Sequence, residues 1–226
     1  MPVKRHAAPR RLPARRRRGT REATRARLVT AAARVFNRDG YHGTDSNRLA
    51  RAAGYAPATF YKHFPDKRTL FLAVYEAWVT AEWAAIERVL RVDTPLDTRA
   101  RRLVTMTIAL HRRWRGMRAS LRALVATDTS VRAFYRVQRR RQLDTMARLA
   151  ADTRTPPSSP AGAARGERHG RRRADAAILL YTLERVADAI ADGEVEDLGV
   201  TRTPTIARLR VLVERHLAGS ASRGRR

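Results

Sequence analysis

Apolar positions recur at three- and four-residue steps along most of the chain, the period of amphipathic helices, and no stretch shows a strand's alternation. The first such series, Ala23, Leu28, Ala31, Ala32, Val35 and Phe36, follows Gly19 and stops at Asp39-Gly40, which predicts one amphipathic helix. After the loop Tyr41-His42-Gly43, either Thr44 or Asp45 can cap a second helix that runs through Ala53 and ends at Gly54. Pro57 suits the first turn of a third, short helix ending near His63-Phe64. Pro65-Asp66 interrupts again, and Asp66 can cap a fourth helix reaching about Val92, ~40 Å long at 1.5 Å per residue.

Beyond Asp93-Thr94-Pro95 the helical pattern continues over roughly 97–114, 117–126, 129–152, 172–192 and 203–218. The fold class is therefore all-α: a three-helix head joined by a long fourth helix to a helical body. The expected divisions are a disordered basic arm at 1–19, a head at 20–80, a body at 81–218 and a disordered tail at 219–226. Residues 153–170 mix Pro, Ser, Ala and Gly and predict a flexible insertion between two body helices. The arm carries eight basic residues and three prolines before Gly19 and has no apolar core, so it is no secretory signal.

Composition alters this picture only modestly. The chain has 226 residues, 43% of them apolar, enough for a true core. Cysteine is absent, which excludes disulfides and thiolate metal sites and suits a reducing cytoplasm. The net charge of +27 favours phosphate-bearing partners. Only three of the 48 basic residues are lysines (Lys4, Lys62 and Lys67), however, so most of the charge reads as an Arg bias spread along the chain. The six histidines, His6, His42, His63, His111, His169 and His216, lack metal-ligand spacing. No phosphate-binding glycine loop, nucleophile elbow or zinc-hydrolase motif is present, so neither an enzyme, a metal nor a cofactor is expected. No apolar run reaches the ~20 residues of a membrane span.

The segment from about 45 to 64 has the mechanics of a helix-turn-helix. Leu49 and Ala53 give the second helix an apolar face, Ala50 lets a neighbour approach, and Gly54 supplies a left-handed turn. Phe60 and Phe64, four residues apart, anchor the third helix and turn Pro57, Ala58, Tyr61 and Lys62 outward.

This ordered set resembles the TetR (tetracycline-repressor-like) family of regulators from about Thr20 to Trp78. The likeness lies in Ala31 to Tyr41, Leu49-Ala50, Ala53-Gly54, Thr59 to Phe64, Asp66-Lys67 and Leu70. The resemblance implies that Tyr61 and Lys67 clamp the DNA backbone. It implies base reading by Ala56, Pro57, Ala58, Thr59, Lys62 and His63, and contacts from Thr44, Ser46 and Asn47. Since Ala56, Pro57 and Ala58 offer only apolar contact, Asn47, Thr59 and Lys62 are the expected hydrogen-bonding readers. Ala56 also stands where the family often has a capping Ser or Thr, Asp45 sets a carboxylate near the DNA, and Ser46 replaces a common apolar residue.

The resemblance further implies a small-molecule effector in the body and a homodimer on a pseudo-palindromic operator, formed through the last two helices and acting by default as a repressor. Two stripes suit that interface: Ala176, Leu179, Leu180, Leu183, Val186, Ala187 and Ile190, and then Ile206, Leu209, Leu212, Val213 and Leu217, though some must face the body. Effector candidates are Trp78, Trp83, Met106, His111, Trp114, Phe134, Tyr135, Met146 and Tyr181, all weighed against ordinary core packing. The Arg runs at 139–141 and 171–173 are expected to be solvated edges. The competing readings are an architectural protein that coats DNA by charge alone and, more remotely, a membrane-surface protein.

Overall fold

The computed structural model describes residues 20–152 and 162–222, and among them every regular element is a helix. The order is α1 (Arg21–Asp39), α2 (Ser46–Ala52), α3 (Pro57–Tyr61), α4 (Lys67–Arg91), α5 (Leu96–Arg113), α6 (Arg115–Thr127), α7 (Thr129–Asp152), α8 (Gly162–Asp192), α9 (Glu194–Asp197) and α10 (Arg202–Ser222). The expected arm at 1–19 and the first half of the expected insertion, 153–161, lie outside the described residues.

Side-chain caps start the head helices, at Asp45 and Asp66 as the sequence suggests and at Thr20 in addition. Thr20 Oγ1 accepts from Ala23 N at 3.2 Å, Asp45 Oδ1 from Arg48 N at 2.8 Å, and Asp66 Oδ1 from Thr69 N at 2.6 Å. Of the two residues offered as cap for α2, Asp45 takes the role and Thr44 turns inward. Ala56 gives α3 no side-chain cap, and Pro57 opens that helix at its first turn.

Phe36, Phe60, Phe64 and Phe71 are fully buried in the head, with Leu28, Leu49 and Leu70 beside them. Phe36 and Phe71 meet edge to face at 5.2 Å, a favoured aromatic geometry. Truncating any of these rings costs about 3–5 kcal/mol.

Two expectations fail at helix ends. Residues 162–170 of the expected insertion are helical and begin α8, since Ala and Arg around the glycines supply enough propensity to extend the helix that follows. α10 likewise runs to Ser222, past the expected tail boundary at 219, and only 223–226 lie outside the described residues. The short α9 was not apparent in the hydrophobic pattern. It is an acidic turn between Gly193 and Gly199, both with positive φ, which redirects the chain into α10.

The head joins the body through α1 and α6 as well as through α4. Asn37, near the end of α1, donates from Nδ2 to Arg113 O at 2.8 Å and accepts at Oδ1 from Met117 N at 3.2 Å. One amide thus satisfies the last carbonyl of α5 and an early N–H of α6. Ser120 Oγ on α6 accepts from Tyr41 N at 3.0 Å. Approach this close requires glycine at position 116, where a Cβ would lie 2.0 Å from Asn37 O.

Gly116→Ala is therefore expected to lower stability by about 1–3 kcal/mol through forced separation of α1 and α6. Gly170→Ala, where a Cβ meets nothing within 4 Å, should be neutral or raise stability by up to about 1 kcal/mol. Urea denaturation of both variants measures the contrast.

The caps also set a pH dependence. The Asp66 carboxyl is held below its ordinary value of 3.8, chiefly by the Thr69 N–H, and Asp45 is lowered in the same way by Arg48 N–H. A depressed folded-state value gives stability that is present above 3.8 and lost as pH falls through the folded value. Asp66→Asn, which keeps a capping oxygen without the titration, should therefore lose less stability across that acid window than the wild type. Unfolding midpoints against pH measure the difference.

Candidate nucleic-acid interface

The turn between α2 and α3 closes with two backbone bonds, Tyr55 N to Ala50 O at 3.0 Å and Gly54 N to Arg51 O at 2.9 Å. This is the glycine-terminated helix end in which position 54 adopts φ +79°, a conformation that disfavours any side chain. Phe60 and Phe64 point into the head, which fixes the rotation of α3 about its axis. The opposite face presents Ala58, Tyr61 and Lys62, with Tyr61 56% exposed. Ala56 is exposed at the start of α3, while Pro57, Thr59 and His63 are half-buried along its flanks. Asn47 is exposed and Ser46 half-buried at the N-terminus of α2.

Two residues expected at this surface have other surroundings. Thr44 is buried, its hydroxyl has no hydrogen-bond partner among the described residues, and its carbonyl is already engaged. Its side chain therefore has no surface to offer to a duplex, because Asp45 takes the outward capping position. Lys67 Nζ donates to Tyr41 O and Thr44 O, both at 2.9 Å, and sits 4.2 Å above the Tyr41 ring. Burial pushes its ammonium down from the ordinary lysine value. The residue ties the start of α4 to the loop before α2, with one of its three donors left over.

Other side chains that shape the head went unnoticed in the sequence. Arg48 binds Gly43 O at 2.9 Å and Asp39 Oδ2 at 2.8 Å, bracing the loop after α1. Arg25 lies 4.9 Å from the Phe64 ring centroid. Arginines are so frequent in this chain that no pattern separates these from solvated ones.

In the body, the proposed effector residues divide. Trp78, Trp83, His111 and Met146 are buried, and Met106, Trp114, Phe134 and Tyr135 are half-buried against the core. Tyr181 is 52% exposed, which removes it from any enclosed site; it follows buried Leu180 on α8 and turns outward. Arg139 contradicts its expected place at a solvated edge. It is half-buried beside Glu184, with Nη1 2.8 Å from Oε1, and its Nε donates to Tyr135 OH at 2.7 Å. Arg140 and Arg141 are exposed as expected.

Further buried charges join the helices. Arg118 Nη2 meets Glu82 Oε1 at 2.6 Å, and His111 Nδ1 meets Asp188 Oδ1 at 2.7 Å. Burial pushes the Glu82 carboxyl up and Arg118 opposes it. Burial also acts on Asp188, but the His111 hydrogen bond and the charges around it outweigh that effect and lower it. An acid within the apolar series Trp78, Val79, Trp83, Ile86 was the available signal for Glu82. Among the described residues no group of His, Asp and Glu could hold a metal ion, and no helix is long and apolar enough to cross a membrane.

A glycine-closed turn that carries an exposed short helix on an aromatic core defines a helix-turn-helix head, here set on an all-helical body. Residues 28–74 match the family described as bacterial regulatory proteins, tetR family. The HTH-type transcriptional activator FasR of Mycolicibacterium smegmatis is 34% identical over 84 residues, which cover 37% of this chain and 38% of that protein. The HTH-type transcriptional regulator UidR of Escherichia coli is 30% identical over 53 residues, 24% of this chain and 27% of its own. The chain thus matches well under half the length of these relatives. A TetR-like transcriptional regulator from Rhodococcus sp. RHA1 has a similar fold throughout, with a TM-score of 0.58 at 20% identity, covering 89% of this chain and 100% of that one. The head of this chain is thus similar to that of the tetR family.

Lys67→Met should lower stability by about 1–3 kcal/mol, because two carbonyls lose their donor. Tyr61→Phe, on the exposed face, should stay within about 0.5 kcal/mol of wild type. Thermal melting of the two variants measures the difference.

Proposed function

We propose that the protein is a transcriptional regulator, acting as a repressor, that binds a pseudo-palindromic operator as a homodimer in the cytoplasm and responds to a small molecule held in its body. The observation that carries this reading is the face of α3: Ala58, Tyr61 and Lys62 stand outward on a helix whose rotation is locked by Phe60, Phe64 and the turn at Gly54. Tyr61 OH is suited to a phosphate oxygen, whereas Asn47, Thr59 and Lys62 are suited to base edges. Lys67 contributes chiefly by holding the loop and α4 in register, and its remaining donor can reach a phosphate.

One short recognition helix spans few base pairs, so specificity calls for two heads spaced by about one helical turn, ~34 Å. Of the stripes proposed for the interface, Ala176, Leu179, Leu180, Leu183, Ala187, Ile190, Leu209 and Val213 are buried within one chain. The apolar groups left outward on α8 and α10 are Ile178, at 63% exposure, Tyr181, Val211 and Leu212. These support a four-helix contact between two copies. A shift of α6 or α4 on effector binding would alter the spacing of the heads and so weaken binding.

Selection from random duplexes is expected to return an inverted repeat. Tyr61→Phe should then weaken binding to all duplexes by about tenfold, and changes at Asn47, Thr59 or Lys62 should alter which duplex is chosen. Leu212→Glu with Ile178→Glu should yield monomers in sedimentation. Steeply salt-dependent binding with no preference among duplexes would refute the regulator and favour an architectural protein.

A further inference from the structure

Among the buried polar side-chain atoms of the body that lack a hydrogen-bond partner among the described residues, four lie on α4, α5 and α6: Trp78 Nε1, Thr107 Oγ1, His111 Nε2 and Arg118 Nε. Leaving such an atom unpaired costs about 1–3 kcal/mol, and native interiors rarely tolerate several together. The residues that bear them are neighbours. Arg118 lies 4.7 Å from the Trp78 ring centroid and binds Glu82, which stands one turn after Trp78 on α4. Glu82 and His111 are close enough to interact. Thr107 precedes His111 by one turn on the same buried face of α5. Trp78, Thr107 and His111 are each more than nine-tenths buried, His111 being 1% exposed.

The polarity of each atom specifies its partner. Trp78 Nε1 and Arg118 Nε carry protons and require acceptors. His111 Nδ1 faces the Asp188 carboxylate at 2.7 Å, which leaves Nε2 as the ring atom without a partner. The Thr107 hydroxyl does either. The charges are already balanced, with Glu82 against Arg118, Asp188 against Arg122 and Glu184 against Arg139. A net charge added here would be buried without a counterion, which is heavily disfavoured. The surrounding Tyr75, Trp78 and Trp114 rings stand 5.7 and 6.0 Å apart in sequence, giving flat apolar walls.

We propose that Trp78, Thr107, His111 and Arg118 form the body's ligand site, and that its ligand is a neutral, flat molecule bearing both a carbonyl and a hydroxyl. The carbonyl accepts from Trp78 Nε1 and Arg118 Nε, and the hydroxyl, able to donate or accept, pairs with His111 Nε2. This rests on the reading that the body senses a small molecule, and it names that molecule's class.

The test uses the full-length protein and three probes of similar outline: 4-hydroxybenzamide, neutral with both groups; 4-hydroxybenzoate, its charged counterpart; and 4-ethylphenol, which lacks the carbonyl. Fluorescence of Trp78, Trp83 and Trp114 reports binding without DNA. The benzamide is expected to saturate and to bind at least about tenfold more tightly than either other probe. Trp78→Phe and Thr107→Val should each weaken benzamide binding severalfold to about tenfold and leave 4-ethylphenol binding unaltered. Thr107→Val should melt no lower than wild type, since it removes an orphaned polar atom at nearly constant volume, whereas a purely structural role of the hydroxyl predicts a lower melting temperature. No saturable binding, equal binding of the three probes, preference for the benzoate, or benzamide binding unaffected in both variants would overturn the site. Release of operator DNA by the benzamide is scored separately: binding without release keeps the site and refutes the effector reading alone.

Discussion

The Asn37 side chain fastens the head to the body at the joint between α5 and α6. Its amide engages the end of α5 and the beginning of α6 at once. Both partners are backbone groups at helix termini, where hydrogen bonds within the helix are lacking. A side chain of α1 thus completes a joint of the body, and Gly116 permits the close approach that this requires. Ser120 adds a second tie from the same helix to the loop after α1. That loop is also where Lys67 fastens α4. Three helices therefore converge on the few residues between Asp39 and Asp45, directly before the helix that precedes the recognition helix.

This convergence gives α6 two neighbours with different chemistry. Through Gly116, Met117 and Ser120 it meets the head; through Arg118 and Arg122 it meets Glu82, Asp188 and Asp192 in the body. The first contact is short, mostly to backbone, and intolerant of displacement. The second consists of ion pairs and a cation–π contact, which rearrange when a polar group enters among them. In the proposed reading, α6 is therefore the helix through which a shift among the ion pairs would reach the head.

Legibility followed the physics of each feature. The head was readable because its determinants are local: caps lie within three residues of their N–H partners, Gly54 within its own turn, and Phe60 and Phe64 on one helical face. Boundaries failed where a weak local signal competed with continuation, as at 162–170 and beyond 219, which join helices α8 and α10. The outward face of α3 was also readable, because burial of two phenylalanines determines it. Thr44 was misplaced since two adjacent residues could cap α2 and only packing chooses between them. Lys67 was read as a clamp for phosphate because sequence shows its charge but not the carbonyls of Tyr41 and Thr44 beneath it. The buried pairs were hidden by composition: among 48 basic residues, nothing local marks Arg118 or Arg139 as interior. Their acidic partners were the better signal, since Glu82, Glu184 and Asp188 interrupt apolar series.

The Arg bias itself takes on a different meaning in this light. A chain with 48 basic and 21 acidic residues can neutralise every buried acid with a guanidinium, and the body does so at Glu82, Glu184 and Asp188. Arginine suits that role better than lysine, because its planar fork bonds a carboxylate while its face stacks on an aromatic ring. Arg118 and Arg139 both show this double use, on Trp78 and on Tyr135. Each pairing consumes some donors and leaves others, and at Arg118 the one left over is Nε. The excess positive charge on the surface and the polar interior of the body thus share one compositional origin. The surface charge draws the protein toward any polyanion without choosing among them. In the proposed reading, selectivity falls instead to uncharged or singly placed groups: Asn47, Thr59 and Lys62 on the head, and Trp78, Thr107 and His111 within the body.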